Sequence, residues 1–232
     1  MGFQILHRGN TAFIDAYLNW QSYQFDLDSH QEAFTVGVNT KVRLSHHDDG
    51  FSLLAAVVAQ HRGGEQDLPE LNLGVQTLCN GALGVAYGQH PQGTAFDAFQ
   101  LQANLLACYQ QAGELWPFDT GVALHAEARA TVKHDVDLSL GVMHAPKQFV
   151  SVYGNPFFST LSIKEASLGQ SVVAYYGLTT AYGQVAYSHT FARAYTFGAG
   201  LEAYYTSPKG GKADVNVAFG AYLRVNPSFL LK

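Results

Sequence analysis

From Phe34 to Leu44 the even positions read Phe34, Val36, Val38, Thr40, Val42 and Leu44, and the odd positions read Thr35, Gly37, Asn39, Lys41 and Arg43. Successive side chains of a strand leave by opposite faces, so this segment has one oily face and one charged face. The same period of two recurs in about ten segments, never as one continuous apolar run, and short turns join most of them. A sheet built this way meets a different solvent on each side. That is the pattern of a transmembrane β-barrel, with lipid outside and water or a polar plug inside.

The alternating segments lie at 12–25, 33–45, 51–62, 71–88, 96–110, 119–132, 135–144, 170–180, 183–192, 194–206 and 213–225, and Phe3 to His7 adds a twelfth. Segment 51–62 is so uniformly apolar that its register is ambiguous. Lengths of roughly ten to fifteen residues exceed the soluble mode and match a tilted membrane crossing. An even strand number is expected of a single-chain barrel. The fold expected is therefore an all-β, closed antiparallel transmembrane barrel of about 12 strands, with ten or fourteen as alternatives, formed by residues 1–232 as one domain. The stretch 145–168 is too long for a turn; it is either an external loop or a segment folded into the lumen.

Composition agrees. Charged residues are 13% of the chain, about half the usual share, and Gly, Tyr and Phe fill the deficit. The mean hydropathy is close to zero, which excludes a helical membrane protein but suits alternating strands. A net charge of −5 leaves no basic patch for phosphates, so no nucleic-acid partner is expected. Trp20, Tyr23, Tyr87, Phe99, Tyr109, Tyr187, Phe191, Tyr205 and Phe219 fall mostly toward strand ends, where an interfacial girdle belongs. No signal peptide is visible after Met1, although the outer membrane requires one; the sequence is read as lacking its leader.

The polar positions carry the candidate chemistry. Asp15, Asn19, Lys41, Arg43, His125, Glu127, Arg129, Glu202 and Arg224 are assigned to the inward face as a polar lumen network. His125, Glu127 and Arg129 share one face of one strand, where they could orient an ester or hold a metal; the blander reading is a set of ion pairs inside a narrow barrel. His46 and His47 beside Asp48 and Asp49 read as a solvated hairpin tip. Ser188 and His189 are adjacent and face opposite ways, so they form no nucleophile–base pair. Cys79 falls on the apolar face and Cys108 on the polar face, which predicts free thiols. No metal, cofactor or catalytic residue is expected.

VSVYGNPFFSTLS at 150–162 and GLEAYYTSPKGGKADVNVAFGAYLRV at 200–225, with AFIDAYLNW at 12–20 and HRGGEQ at 61–66, resemble uncharacterised outer-membrane β-barrel proteins of Bacteroides-type bacteria. The resemblance implies a barrel in the bacterial outer membrane and supplies no activity.

The leading expectation is thus an outer-membrane barrel with a polar lumen, not an enzyme. It would act as a small pore or as a membrane-embedded component of an envelope assembly, with outer-membrane lipid and other envelope proteins as partners. The alternatives are a lipid A or phospholipid hydrolase on the same barrel, and a soluble lipid-binding barrel. The last requires Val36, Val38 and Val42 to pack inward.

Overall fold

A computed structural model of the chain describes residues 2–23, 31–45, 49–63, 75–111, 118–151, 155–166, 169–191 and 195–225. Eleven strands form one antiparallel sheet: β1 (Gly2–Arg8), β2 (Ala12–Ser22), β3 (Ala33–Arg43), β4 (Gly50–Arg62), β5 (Gln76–Gln89), β6 (Phe96–Gln111), β7 (Thr120–Val132), β8 (Val136–Ala145), β11 (Leu178–Phe191), β12 (Tyr195–Pro208) and β13 (Asp214–Val225). Each pairs with the next, so the sheet is a meander from β1 to β13. Between β8 and β11 lie a 3-10 turn at Pro156–Phe158 and a separate hairpin, β9 (Leu161–Ala166) with β10 (Gly169–Ala174).

The strand expectation is corrected in two places. Segment 170–180 is not one strand, because β10 ends at Ala174 and β11 begins at Leu178; of segment 183–192, residues 183–191 lie within β11 and Ala192 lies outside the described residues. Part of the irregular stretch 145–168 is itself a strand, β9. The main sheet carries eleven strands where twelve were expected, and among the described residues no ladder joins β1 to β13. The start of segment 71–88, up to Gly74, lies outside the described residues, as do His46, His47 and Asp48.

Cross-strand register settles the faces. Leu18, Val36 and Ala59 stand opposite one another in turn, as do Ala16, Val38 and Val57, so β4 joins the pattern its own sequence left ambiguous. The oily set is outward: Leu124 is 58% exposed and Val217 65% exposed. Val36, Val38 and Val42 are exposed as well, which removes the soluble alternative, since a water-soluble barrel has no reason to display a continuous apolar face.

The concave face is polar and partly filled. Residues 146–151 and 155–160 lie against it at one end. Asn80 Nδ2 donates to the Val150 carbonyl at 2.8 Å, and Thr180 Oγ1 donates to the Phe157 carbonyl at 2.6 Å. Phe149 packs with Cys108, Ala123, Met143, Ala145 and Leu178 into a small apolar cluster, with Phe158 against it. Thr160, fully buried, closes the segment on itself: its hydroxyl accepts from the Phe149 N–H and donates to the Phe149 carbonyl, each at 3.0 Å. Within 145–168, Phe149, Val150, Phe157 and Phe158 meet the inner face, and Leu161–Ala166 form β9 of a separate hairpin.

Glycines let the inward aromatics lie flat. Gly141 and Tyr182 are directly opposite, and the Tyr182 ring occupies the place a Cβ on Gly141 would need; Tyr17 covers Gly37 and Tyr222 covers Gly198 in the same way. This is the aromatic cover that strand glycines receive in well-registered sheets.

The two ends of the sheet differ. The connections 9–11, 44–49, 90–95, 133–135 and 192–194 share one rim and are all short. The connections 23–32, 63–75, 112–119 and 146–177 share the other rim and, with the shorter 209–213, make it the loop-rich one.

Candidate functional site

The inner face gathers some of the expected polar residues and scatters others. On β7, Glu127 Oε2 accepts from Gln102 Nε2 at 2.6 Å and pairs with Arg129 Nη2 at 2.9 Å. His125 Nε2 lies 2.8 Å from the Tyr182 hydroxyl, and its Nδ1 lies 3.3 Å from Asn104. Tyr182 stacks on Tyr204 at 5.8 Å, and Tyr204 donates to Glu202 at 2.9 Å. Rings therefore connect His125 with Glu202. Phe158, 5.7 Å from His125 and 5.5 Å from Tyr182, roofs the cluster on the loop-rich side.

The rest stand apart. Asp15 accepts from Gln4 at 2.8 Å, and Arg43 reaches the Asn10 carbonyl at 3.4 Å. Arg224 lies over the Tyr222 ring at 6.0 Å. Asn19 faces Gly2 and Thr35 near the loop-rich rim. Lys41 and Arg129 line one cavity of about 340 Å³ with Asn39, Gln100, Gln102 and Asn104. All nine share the inner face by register, yet they form several groups. Among the described residues no cluster of three metal-ligating side chains exists. Cys79 and Cys108 are free and face opposite ways.

A second arrangement lies on the outer face, and the sequence did not single it out. At the loop-rich rim one cross-strand row reads Trp20, Phe34, His61, Thr77 and Gln111, each directly opposite the next across β2 to β6. His61 Nδ1 lies 2.9 Å from Thr77 Oγ1, and His61 Nε2 lies 2.9 Å from the Gly63 carbonyl. The Gln111 side-chain amide lies 2.9 Å from Thr77 Oγ1. Gly63 has φ 86°, a conformation glycine adopts freely and other residues avoid. That reversal swings its carbonyl back onto the ring two residues earlier. The Gly63 N–H is held by the Glu32 carbonyl at 2.9 Å, which ties the turn to the start of β3. Phe34 lies 5.2 Å from the His61 ring, with Trp20 and Tyr23 stacked beyond it at 5.4 Å.

Another outward pair, His144 and Thr179 at 2.9 Å, occupies the same rim on β8 and β11. At the short-turn rim three imidazoles face carboxylates: His90 with Asp49 at 3.0 Å, His134 with Asp97 at 3.3 Å and His189 with Asp135 at 3.0 Å. Ser188 and His189 do lie on opposite faces, as their adjacency demands.

An antiparallel sheet with one apolar face and one polar, partly filled face is compatible with an outer-membrane β-barrel protein and by itself gives no activity. A family model of the lipid A 3'-O-deacylase type matches residues 1–232, and the chain belongs to that family. No curated protein and no solved structure matches it. The family corrects the leading functional expectation. A family of deacylases is one of enzymes, so the pore or passive assembly component gives way to the alternative, a lipid A hydrolase.

Proposed function

We propose that this protein is an outer-membrane enzyme that hydrolyses an ester-linked acyl chain of lipid A. The observation that carries the reading is the family match over the whole chain. The exposed valines, leucines and phenylalanines of the outer face support membrane placement, because such a surface is stable only against lipid. Barrels of this kind place short turns in the periplasm and long loops outside the cell. The loop-rich rim is therefore the extracellular one, level with the outer leaflet that holds lipid A.

We further read the sheet as closed. In an eleven-stranded meander β1 and β13 run in the same direction, so closure joins them by a parallel ladder. The nine inward polar residues then form the lumen network, which holds the wall and takes no part in the reaction.

The test is direct. The protein is expressed in the outer membrane of a Gram-negative host, and the extracted lipid A is weighed by mass spectrometry. The expected result is a loss equal to one acyl chain with the phosphorylated disaccharide intact. Unchanged lipid A in the presence of folded, membrane-embedded protein overturns the reading.

A further inference from the structure

We propose that Thr77 and His61, on the lipid-facing side of the loop-rich rim, are the nucleophile and general base that cleave the acyl ester. The inference rests on the deacylase reading and deepens it, because nothing in the family match assigns residues.

The carbonyl partner of His61 sets the tautomer that activation requires. A carbonyl oxygen can only accept, so His61 Nε2 carries a hydrogen and donates it to Gly63. In the neutral ring Nδ1 is then bare, and it accepts the Thr77 hydroxyl proton at 2.9 Å. Thr77 Oγ1 also lies 2.9 Å from Gln111 Oε1, to which its hydroxyl can donate; exchanging the oxygen and nitrogen of that amide, which have the same shape, makes Gln111 the donor and directs the Thr77 proton to His61. Nucleophile, base and an orienting third group are thus in contact in the order that activation of a hydroxyl requires. Gly63 and Gln111 are positioning residues.

The step balances. Thr77 Oγ1 attacks the ester carbonyl carbon as its proton passes to His61 Nδ1. The tetrahedral intermediate expels the sugar oxygen, which takes that proton from His61 and leaves as an alcohol. Water then attacks the acyl-threonine ester, giving its proton to the same nitrogen. Collapse releases the fatty acid and returns the proton to Thr77.

Location favours this pair over the other candidates. Phe34, Trp20 and Tyr23 continue the row on one side, an apolar bed for an acyl chain beside the reacting hydroxyl. His125 is on the inner face beneath Phe158, where a lipid in the bilayer does not reach it. The three imidazole–carboxylate pairs are at the opposite rim. His144 and Thr179 share the correct rim, but among the described residues no carbonyl holds His144 Nε2 as Gly63 holds that of His61.

The experiment measures acyl release from lipid A, and hydrolysis of a p-nitrophenyl acyl ester, by detergent-solubilised protein. Wild type is compared with His61→Ala, Thr77→Val, Thr77→Ser and His144→Ala. Expected is a loss of about 100-fold or more for the first two on both substrates, with Thr77→Ser active and His144→Ala unchanged. Wild type treated with a fluorophosphonate should carry the adduct on Thr77 by peptide mass spectrometry, a readout that holds even if a variant fails to fold. Turnover surviving in His61→Ala and Thr77→Val, or an adduct elsewhere, overturns the pair while leaving the deacylase reading intact. Ester hydrolysis that depends on His61 with lipid A untouched supports the pair and overturns the lipid A reading. A wild type inert on both substrates overturns both.

Discussion

Glu127 and Arg129, two residues apart on β7, join at 2.9 Å with the Glu127 side chain 3% exposed and the Arg129 side chain 56% exposed. Their burial is unequal, so the pair is a sealed carboxylate held by a cation that still meets water. Glu127→Ala removes the acceptor of both Gln102 and Arg129. It should cost on the order of 1–3 kcal/mol, set mainly by Gln102, because Arg129 can be resolvated. Denaturant unfolding in micelles reads the loss. Activity per folded molecule should stay at the wild-type level, as a lumen role requires; abolished turnover in a folded variant would place the chemistry inside.

Leu83, 66% exposed on β5, tests the membrane face. Leu83→Arg should destabilise the folded, lipid-embedded protein by about 2–4 kcal/mol if it lies near the bilayer midplane. Unfolding titrations in lipid vesicles give the number. A cost near zero would show that this face does not meet hydrocarbon.

The segment against the concave face depends on Thr160, whose hydroxyl makes two buried hydrogen bonds to Phe149. Thr160→Val keeps the shape and leaves the Phe149 N–H unsatisfied, while the Phe149 carbonyl keeps the residue-160 backbone N–H at 2.8 Å; the cost is about 1–3 kcal/mol. Proteolytic cleavage within 146–160 should accelerate while the sheet remains resistant. An unchanged cleavage pattern would mean that other contacts hold the segment.

Gly63 is constrained by its φ of 86°. Gly63→Ala forces an L residue into that region at about 1 kcal/mol or more, and relaxation carries the carbonyl away from His61 Nε2. The expected outcome is a fall in kcat with KM little changed, since the acyl bed at Phe34 and Trp20 is untouched. A rise in KM alone would assign the turn to substrate binding.

How far the sequence could be read differs between the fold and the site. Alternation placed Asp15, Lys41, Glu127 and Glu202 on one face, and register agrees at each, because a strand's period of two is local and needs no partner to be seen. The free thiols followed from the same parity. The 170–180 segment misled because Val172, Val173, Tyr175 and Tyr176 are strand formers throughout, and the break comes at Gly177, whose φ of 139° turns the chain between β10 and β11. The pore expectation failed for a different reason: polar inward residues are common to filled and open barrels, so they carry no information about activity.

The linear order of residues by itself determined which side of each strand is oily, and so that the sheet faces two solvents. Tertiary structure alone decided what stands beside what. His61 sits in a segment too uniformly apolar to give its register, and Thr77 lies on the next strand of the sheet. Only the pairing of β4 with β5, and the glycine reversal at residue 63, bring imidazole and hydroxyl to 2.9 Å. Contacts across strands depend on register and turn geometry, which the spacing of residues along one strand does not contain.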